Sequence, residues 1–155
     1  MKIVFVCTGN TCRSPMAEAI AKSLAKKYSL EAEIFSAGIL VLSEVNASEN
    51  ALKAMSELDL DLTYHVSKQI SSQHMESADL ILTMTSHHKN FLTREYASHQ
   101  SKIYTLSEYA NCPEKDVADP FGKNLAEYKI CADEIHKLLK VVFTRKDMQN
   151  YDSSR

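Results

Sequence analysis

Four short segments of the chain are continuously apolar and rich in β-branched and aromatic residues. In the first, IVFV follows Lys2 and runs directly into Cys7, and in the third, ADLILTM is apolar at most positions. Such uninterrupted runs are typical of strands that are buried on both faces of a parallel sheet. The pattern therefore predicts strands over residues 2–6, 32–35, 78–84 and 103–106.

The segments between these runs carry apolar residues every three or four positions, which is the spacing that places them on one face of a helix. We predict helices over residues 15–28, 48–58, 70–75, 86–95 and 125–143. In the second of these helices, Leu52, Met55 and Leu58 are expected to face the core. The last helix is expected to turn five apolar residues inward: Ile130, Ile135, Leu138, Leu139 and Val142.

Strands and helices alternate along the chain, and this order is typical of an α/β domain. We therefore predict a mainly parallel sheet with helices on both faces. In such sheets, ligands bind at the carboxyl ends of the strands. Cys7 stands at the carboxyl end of the first predicted strand, so the segment after it is a candidate site.

Length and composition fit one folded domain. The chain has 155 residues, of which 45% are hydrophobic and 25% charged, and this is enough for a buried core. We expect a single domain over residues 1–145 and a frayed polar tail over residues 146–155. The formal net charge of -2 gives no electrostatic reason to expect nucleic acid or a membrane as a partner, and a monomer is expected.

The cysteines and the N-terminal sequence favour the cytoplasm. The chain has four cysteines, no signal-peptide pattern and no apolar stretch long enough to cross a bilayer, so a disulfide framework is not expected. Only Cys7 and Cys12 are close in sequence, and no histidine lies near them, which argues against a zinc site. His87 and His88 are interpreted as solvated residues at the start of a helix.

The segment CTGNTCR joins the first strand to the first predicted helix. Ser14 is a favoured N-cap and Pro15 suits the first helical position, so the segment should end at a helix N-terminus with free N–H groups and a partial positive charge. Gly9 and Asn10 tolerate left-handed backbone angles, which would let the segment curl and turn its N–H groups inward. With the planar fork of Arg13, these groups would form an anion site.

Cys7 lies at the base of this predicted anion site. The arginine, the amides and the helix N-terminus all favour a thiolate, and the hydroxyl of Ser14 could also give the sulfur a hydrogen bond. The nucleotide-binding pattern G-x-x-x-x-G-K-[ST], with its lysine, is absent. The residues themselves therefore indicate an anion site with a nucleophile at its base.

The segment VCTGNTCRSPMAE resembles the active-site loop of the low-molecular-weight protein tyrosine phosphatases. The segments SAG at 36–38, HVSKQI at 65–70, ADLIL at 78–82 and DPF at 119–121 also fall where that family has counterparts, so the resemblance covers nearly the whole chain. It implies a four-stranded parallel sheet flanked by helices on both faces. It also implies phosphorylated proteins as substrates, with no cofactor and no metal.

The resemblance assigns roles to individual residues. Cys7 would attack phosphorus and form a phosphocysteine, and Arg13 would hold the phosphoryl oxygens with the loop amides. Asp119 would protonate the leaving group and then take a proton from the hydrolytic water. Six further loop residues would bind the substrate: Thr8, Gly9, Asn10, Thr11, Cys12 and Ser14. Ser36 and His65 would support the left-handed turn at Asn10 through hydrogen bonds.

Thr11 and Phe121 bear on the substrate. Tyrosine-directed members of the family tend to have a bulky aliphatic residue in place of Thr11 and a tyrosine in place of Phe121, whereas Thr11 with DPFG is similar to the protein arginine phosphatase branch. A phosphoguanidinium has N–H groups that need acceptors, and a threonine hydroxyl can supply one. Phosphoarginine in proteins is therefore the predicted substrate, with phosphotyrosine as the alternative. Leu40 is expected to form an apolar wall of the pocket.

Two other classes of function are compatible with such a loop. Thiol-dependent arsenate reductases have a similar loop but need relay cysteines near the end of the third strand, where this chain has LILTMTSHHKNF. A non-catalytic phosphate-binding module would need neither Cys7 nor Asp119. The joint presence of both residues favours the phosphatase.

Cys12 has two interpretations. The resemblance suggests that its sulfur can approach that of Cys7, so that oxidation of Cys7 would be followed by a protective disulfide. Alternatively, Cys12 is a small apolar residue packed under the loop.

Overall fold

Four parallel strands form the centre of the fold. In a computed structural model, which describes residues 1–151, the strands are β1 (Lys2–Cys7), β2 (Glu33–Gly38), β3 (Leu80–Thr83) and β4 (Ile103–Thr105). They form one sheet in the order β2-β1-β3-β4, and every neighbouring pair is parallel. The predicted fold class is confirmed, and β1 is flanked on both sides by other strands.

Seven α-helices and one 3₁₀ helix are present in residues 1–151. The α-helices are α1 (Arg13–Lys27), α2 (Glu49–Ser56), α3 (Ser72–Ser77), α4 (Ser86–Glu95), α5 (Leu106–Tyr109), α6 (Leu125–Phe143) and α7 (Lys146–Gln149), and the 3₁₀ helix spans Ala97–Lys102. The predicted helices over residues 86–95 and 125–143 have the observed bounds. The helices that were not predicted, which are the 3₁₀ helix, α5 and α7, are at most six residues long. They are too short to show a helical pattern of apolar residues in the sequence. Within the same residues, no helix is both long and apolar enough to cross a membrane.

The two faces of the sheet carry separate hydrophobic cores. On one face, Ile3 and Phe5 of β1 pack in a cluster with residues of α1, α2 and α6. On the other face, Val4 and Val6 pack in a cluster with residues of α3 and α4. All four residues are fully buried, because successive side chains of a strand point to opposite faces and both faces are covered. This explains why the first strand is an uninterrupted apolar run.

The start of α1 differs from the prediction. The helix begins at Arg13, Cys12 occupies the N-cap position without a side-chain hydrogen bond that caps the helix, and Ser14 lies in the first turn. The hydroxyl of Ser14 does not cap the helix because it contacts the side chains of Cys7 and Asn10 instead. The position that looked like an ordinary N-cap therefore belongs to the site at the end of β1.

Two apolar residues and the chain end depart from their predicted environments. Leu58 is 48% exposed because α2 ends before it, and Ile130 is 61% exposed because α6 turns Cys131 and Ile135 inward. The frayed tail expected from residue 146 is wrong over Lys146–Gln149, which is helical and buries Met148. The end of the tail, residues 152–155, lies outside the described residues.

Gly38 ends β2 beside Cys7, and the space there admits no side chain. A Cβ atom at this position would lie 2.5 Å from the carbonyl oxygen of Thr8 and 2.7 Å from Cγ2 of Val41. The first of these atoms is backbone, so a side chain would force the segment after β1 to move. The glycine allows β2 to approach that segment closely.

We expect Gly38→Ala to lower the free energy of unfolding by about 1–3 kcal/mol, the usual cost of overpacking. Gly9→Ala is the control, because a Cβ at Gly9 would meet no atom closer than 3.8 Å. Urea denaturation of the two variants measures the difference. Equal losses of stability would contradict the close approach at Gly38.

Candidate active site

The β1–α1 loop (residues 8–12) is held by its carbonyl groups. The carbonyl oxygen of Cys7, just before the loop, and those of Thr8, Asn10 and Thr11 within it accept hydrogen bonds from outside the loop. The donors are, in the same order, Ile39, Leu40, His65 and Ser48. Because the C=O and N–H groups of a trans peptide point in opposite directions, this pattern turns the following N–H groups to the inner side of the loop. The predicted set of inward amides therefore has a structural basis.

Asn10 gives the loop its curl. Its φ is 57°, in the left-handed region, and the residue is fully buried. Its amide nitrogen donates to the hydroxyls of Ser14 (2.9 Å) and Ser36 (3.0 Å), and its amide oxygen accepts from the backbone N–H of Lys68 (3.0 Å). The ring of His65 donates to its carbonyl at 2.7 Å. The predicted support by Ser36 and His65 is present, whereas Gly9 does not adopt a positive φ.

Glu18 completes this support and was missed by the sequence analysis. The hydroxyl of Ser36 donates to its carboxylate at 2.6 Å, and Lys22 pairs with the other oxygen at 2.6 Å. Since Ser36 gives its only proton to Glu18, its oxygen is left to accept from Asn10. Glu18 is four residues after Ser14 and therefore on the same helix face, but only the fold shows that this face is buried.

Cys7 and Arg13 lie together at the base of the loop. The sulfur of Cys7 is 2.9 Å from the hydroxyl of Ser14, and the cysteine is 3% exposed. The guanidinium of Arg13 donates to the carbonyl of Val117 at 3.1 Å and forms an ion pair with Asp119 at 3.2 Å. The segment that carries the aspartate is thereby attached to the residue that is expected to hold an anion.

A cavity of about 230 Å³ opens above these groups. Eight residues line it: Cys7, Thr8, Gly9, Thr11, Cys12, Arg13, Asp119 and Phe121. Two further predicted residues, Asn10 and Ser14, are fully buried under the loop and support it rather than line the cavity. Phe121 stands at the rim with 72% of its surface exposed, and its backbone N–H donates to Asp119 at 3.1 Å.

The structure does not place Leu40 in the wall of this cavity. Its side chain is 60% exposed, and its backbone N–H donates to the carbonyl of Thr8 at 3.0 Å. Because that carbonyl points to the outer side of the loop, Leu40 is held away from the cavity. The prediction of an apolar wall formed by Leu40 is wrong.

His88 is buried rather than solvated, which corrects its interpretation from the sequence. It is 2% exposed, and its Nε2 lies 2.8 Å from the hydroxyl of Thr8. Burial, and then the charge of Arg13, lower the pKa of His88 to about 4. The order of strands explains the contact, since β3 pairs with β1 and α4 begins just after β3. No sequence pattern indicates the contact between Thr8 and His88, because 80 residues separate the two side chains.

Cys12 lines the cavity, and its sulfur contacts two hydroxyl groups. Its sulfur lies 3.2 Å from the hydroxyl of Tyr128 and 3.4 Å from that of Ser48. Burial raises the pKa of Tyr128 to about 12, so the phenol is protonated at neutral pH. Both cysteines are free thiols.

The arrangement has the parts needed for phosphoryl transfer. A sulfur nucleophile, a guanidinium and a carboxylate meet at one cavity, beside a loop whose amides face inward. Such a set can attack phosphorus, hold the oxygens of the transferred group and exchange a proton with the leaving group. Within residues 1–151, no cluster of three or more His, Cys, Asp or Glu side chains is suited to a metal ion.

Comparison with known proteins agrees with this geometry. The chain matches the family model described as low molecular weight phosphotyrosine protein phosphatase over residues 2–151. It is 43% identical over 140 residues to the protein-arginine-phosphatase of Bacillus subtilis, covering 90% of this chain and 93% of that protein. It is also 40% identical over 139 residues to the low molecular weight protein-tyrosine-phosphatase PtpB of Staphylococcus haemolyticus, covering 90% and 95%.

A solved structure shows the same fold. It is the YwlE arginine phosphatase in a cysteine-to-serine mutant with a phosphorylated active-site serine, and it matches with a TM-score of 0.90 and 39% identity over 96% of this chain and 99% of that one. A phosphorylated residue at the position of the nucleophile indicates a covalent mechanism in that enzyme. The family match extends over nearly all of this chain, so the resemblance is confirmed. This chain belongs to the low-molecular-weight phosphotyrosine protein phosphatase family.

Proposed function

We propose that this phosphatase removes phosphoryl groups from arginine side chains of proteins through a phosphocysteine at Cys7. The observation that carries the proposal is that Thr11 lines the same cavity as Cys7, Arg13 and Asp119. A hydroxyl therefore stands where the part of the substrate next to phosphorus would lie. The catalytic unit is proposed to be one domain over residues 1–145.

The first step is attack of the Cys7 sulfur on phosphorus. The contact with Ser14 at 2.9 Å would supply a hydrogen bond that orients the attacking sulfur. Arg13 would turn its two-pronged fork from Asp119 to the phosphoryl oxygens, as the bidentate geometry favours. The inward amides of the β1–α1 loop would hold the remaining charge during transfer.

Asp119 would act as general acid and then as general base. In the free enzyme, Arg13 holds its carboxylate at the cavity at 3.2 Å. When a phosphoryl group occupies the guanidinium, the carboxyl group is released from that pair and stands beside the leaving group. It would donate a proton to the departing nitrogen or oxygen and later accept one from the water that hydrolyses the phosphocysteine.

The hydroxyl of Thr11 supports phosphoarginine over phosphotyrosine. A phosphorylated guanidinium presents N–H groups, and an unpaired N–H facing an apolar wall costs on the order of 1–3 kcal/mol. A difference of about 1.4 kcal/mol already changes affinity tenfold. The names of the relatives do not decide the matter, because proteins of 43% and 40% identity carry the arginine and the tyrosine description, respectively.

The proposal extends to the cellular setting. Phosphorylated proteins are the proposed partners, and the enzyme is proposed to act as a monomer in the cytoplasm, without a cofactor, a nucleic acid or a membrane. Four free cysteines within residues 1–151 are consistent with a reducing compartment. The net charge of -2 is consistent with the absence of a polyanionic partner.

We further propose that Cys12 protects Cys7 from irreversible oxidation. Peroxide would oxidise the Cys7 thiolate to a sulfenic acid, and the Cys12 thiol would attack that sulfur, expelling water and forming a disulfide. The structure makes this a rearrangement, since the Cys12 sulfur must leave the hydroxyls of Tyr128 and Ser48.

Thr11→Ile is expected to lower the ratio of kcat/KM for a phosphoarginine peptide to that for the matched phosphotyrosine peptide by about tenfold, because an N–H acceptor is replaced by an apolar wall. Thr11→Ser is the matched control and should retain the ratio, since it keeps the hydroxyl. An unchanged ratio in Thr11→Ile would show that Thr11 does not select the substrate.

Asp119→Asn is expected to lower kcat by roughly 10²–10⁴-fold for aryl phosphates with poor leaving groups and much less for those with good ones, because only the former need a proton. Asp116→Asn is the control, since Asp116 contacts Ser86 and does not line the cavity. If the loss in Asp119→Asn does not depend on the leaving group, the residue is not the general acid.

After peroxide treatment followed by a reducing thiol, the wild type should recover its activity and Cys12→Ser should recover much less, because only the wild type can trap the sulfenic acid as a disulfide. Cys112→Ser, which removes an exposed thiol, should behave like the wild type. Equal recovery in all three proteins, with no disulfide-linked Cys7–Cys12 peptide detected by mass spectrometry, would contradict the protective role of Cys12. The phosphatase mechanism would be unaffected by that result.

A further inference from the structure

A second hydroxyl lines the cavity beside that of Thr11. Thr8 follows Cys7 directly and has an exposed side chain that contributes to the cavity wall. Unlike Thr11, whose hydroxyl lies 3.5 Å from the sulfur of Cys12, Thr8 has a buried histidine as its partner. The 2.8 Å contact between its Oγ1 and Nε2 of His88 fixes the rotamer of a residue that would otherwise turn freely at the mouth of the site.

The imidazole of His88 is itself held from the other side. Thr85 is the N-cap of α4, and its hydroxyl accepts the backbone N–H of His88 at 3.2 Å. The same hydroxyl lies 3.0 Å from the ring Nδ1. Thr83, at the end of β3, donates its hydroxyl to the carbonyl of Thr85 at 2.9 Å. The chain of contacts from β3 to Thr8 is therefore continuous, and it holds the ring in one orientation.

The ring is neutral at physiological pH. His88 is 2% exposed, and burial and the nearby charge of Arg13 lower its pKa to about 4, against smaller opposing effects of Asp119 and Asp116. A neutral imidazole has one N–H group and one bare nitrogen. Because the hydroxyl of Thr85 contacts Nδ1 and that of Thr8 contacts Nε2, the neutral ring donates to one of these threonines and accepts from the other.

We propose that His88 is a positioning residue for substrate selection. Its Nε2 accepts the hydroxyl proton of Thr8, which leaves the lone pairs of Thr8 Oγ1 facing the cavity. These lone pairs accept hydrogen bonds from the N–H groups of a phosphorylated guanidinium. This rests on the proposed arginine specificity and extends it. Thr8 and Thr11 then supply acceptors on two parts of the wall, as a planar group with several N–H donors requires.

Three features distinguish this role from a merely structural one. It acts on one class of substrate, because the phenyl ring of phosphotyrosine has no N–H group for Thr8 to accept. It requires the hydroxyl of Thr8 rather than its volume. It also requires an acceptor at position 88 rather than an imidazole as such.

The test compares kcat/KM for a phosphoarginine peptide and the matched phosphotyrosine peptide in four variants. Thr8→Val removes the hydroxyl at nearly constant volume, and Thr8→Ser keeps it. His88→Leu removes the acceptor, and His88→Gln restores one through its amide oxygen. We expect Thr8→Val and His88→Leu each to lower the phosphoarginine to phosphotyrosine ratio about tenfold, while Thr8→Ser and His88→Gln stay within threefold of the wild type.

The double variant Thr8→Val/His88→Leu should lose no more selectivity than either single variant, because both remove the same acceptor. His87→Phe, at the neighbouring exposed position, should leave the ratio unchanged. In the wild type, ¹⁵N NMR of His88 should show an unprotonated Nε2. If His88→Leu does not fold, the comparison of Thr8→Val with Thr8→Ser and the NMR measurement still decide the matter.

Equal losses on both substrates in Thr8→Val would mean that Thr8 only supports the loop, and a protonated Nε2 would mean that Thr8 donates into the cavity. Either result overturns the proposal. Failure of the broader assignment looks different. If the wild type hydrolyses both peptides equally, the arginine specificity itself is contradicted. If the wild type prefers phosphoarginine and Thr8→Val leaves the phosphoarginine to phosphotyrosine ratio unchanged, only the role of His88 is contradicted.

Discussion

The left-handed backbone at Asn10 is the constraint on which the site depends. A non-glycine residue in this region costs about 1–2 kcal/mol, and the residue is fully buried with a φ of 57°. Four hydrogen bonds offset that cost: the amide side chain donates two and accepts one, and the ring of His65 donates one to the carbonyl. Asparagine is one of the few residues that both tolerate this backbone and supply such bonds. Without the turn, the carbonyls would not face outward and the amides would not face the cavity.

The topology of the sheet supplies the partners of this turn. Because β1 lies between β2 and β3, the loop after it is bordered by the carboxyl ends of both neighbours. From β2 come Ser36 and the close approach at Gly38, and from the helix after β3 comes His88. The general rule that ligands bind at the carboxyl ends of parallel strands here has a specific physical cause. The strand on one side, and the helix that follows the strand on the other, each contribute a polar contact that a single loop could not make by itself.

Much of the fold and the chemical centre of the site could be predicted from the sequence because their signals are local. An uninterrupted apolar run marks β1, and Cys7, Asn10 and Arg13 stand within seven residues of one another. Asp119 could be assigned only with the help of the family resemblance, since an Asp-Pro pair is also a common turn. Its 3.2 Å ion pair with Arg13 shows that the fold brings it to the same cavity.

The features that the sequence did not reveal depend on contacts between distant segments. No sequence pattern set Glu18 apart and His88 was interpreted as a solvated histidine, yet both are buried against the loop or its support. Leu40 was misplaced because a backbone hydrogen bond, which no side-chain pattern encodes, holds it outside the cavity. Ile130 fits the helical period of α6 but faces solvent. Periodicity predicts which residues lie on one apolar face of a helix, but not which part of that face is covered by the rest of the protein.

The most direct test of the account is to locate the phosphoryl group during turnover. The enzyme would be mixed with a phosphoarginine peptide labelled at phosphorus, stopped within milliseconds by denaturant, and digested for mass spectrometry. The account predicts label on Cys7 that forms before free phosphate appears and then decays as phosphate is released. Release of phosphate with no label on the enzyme at any time, or label on a residue other than Cys7, would contradict it.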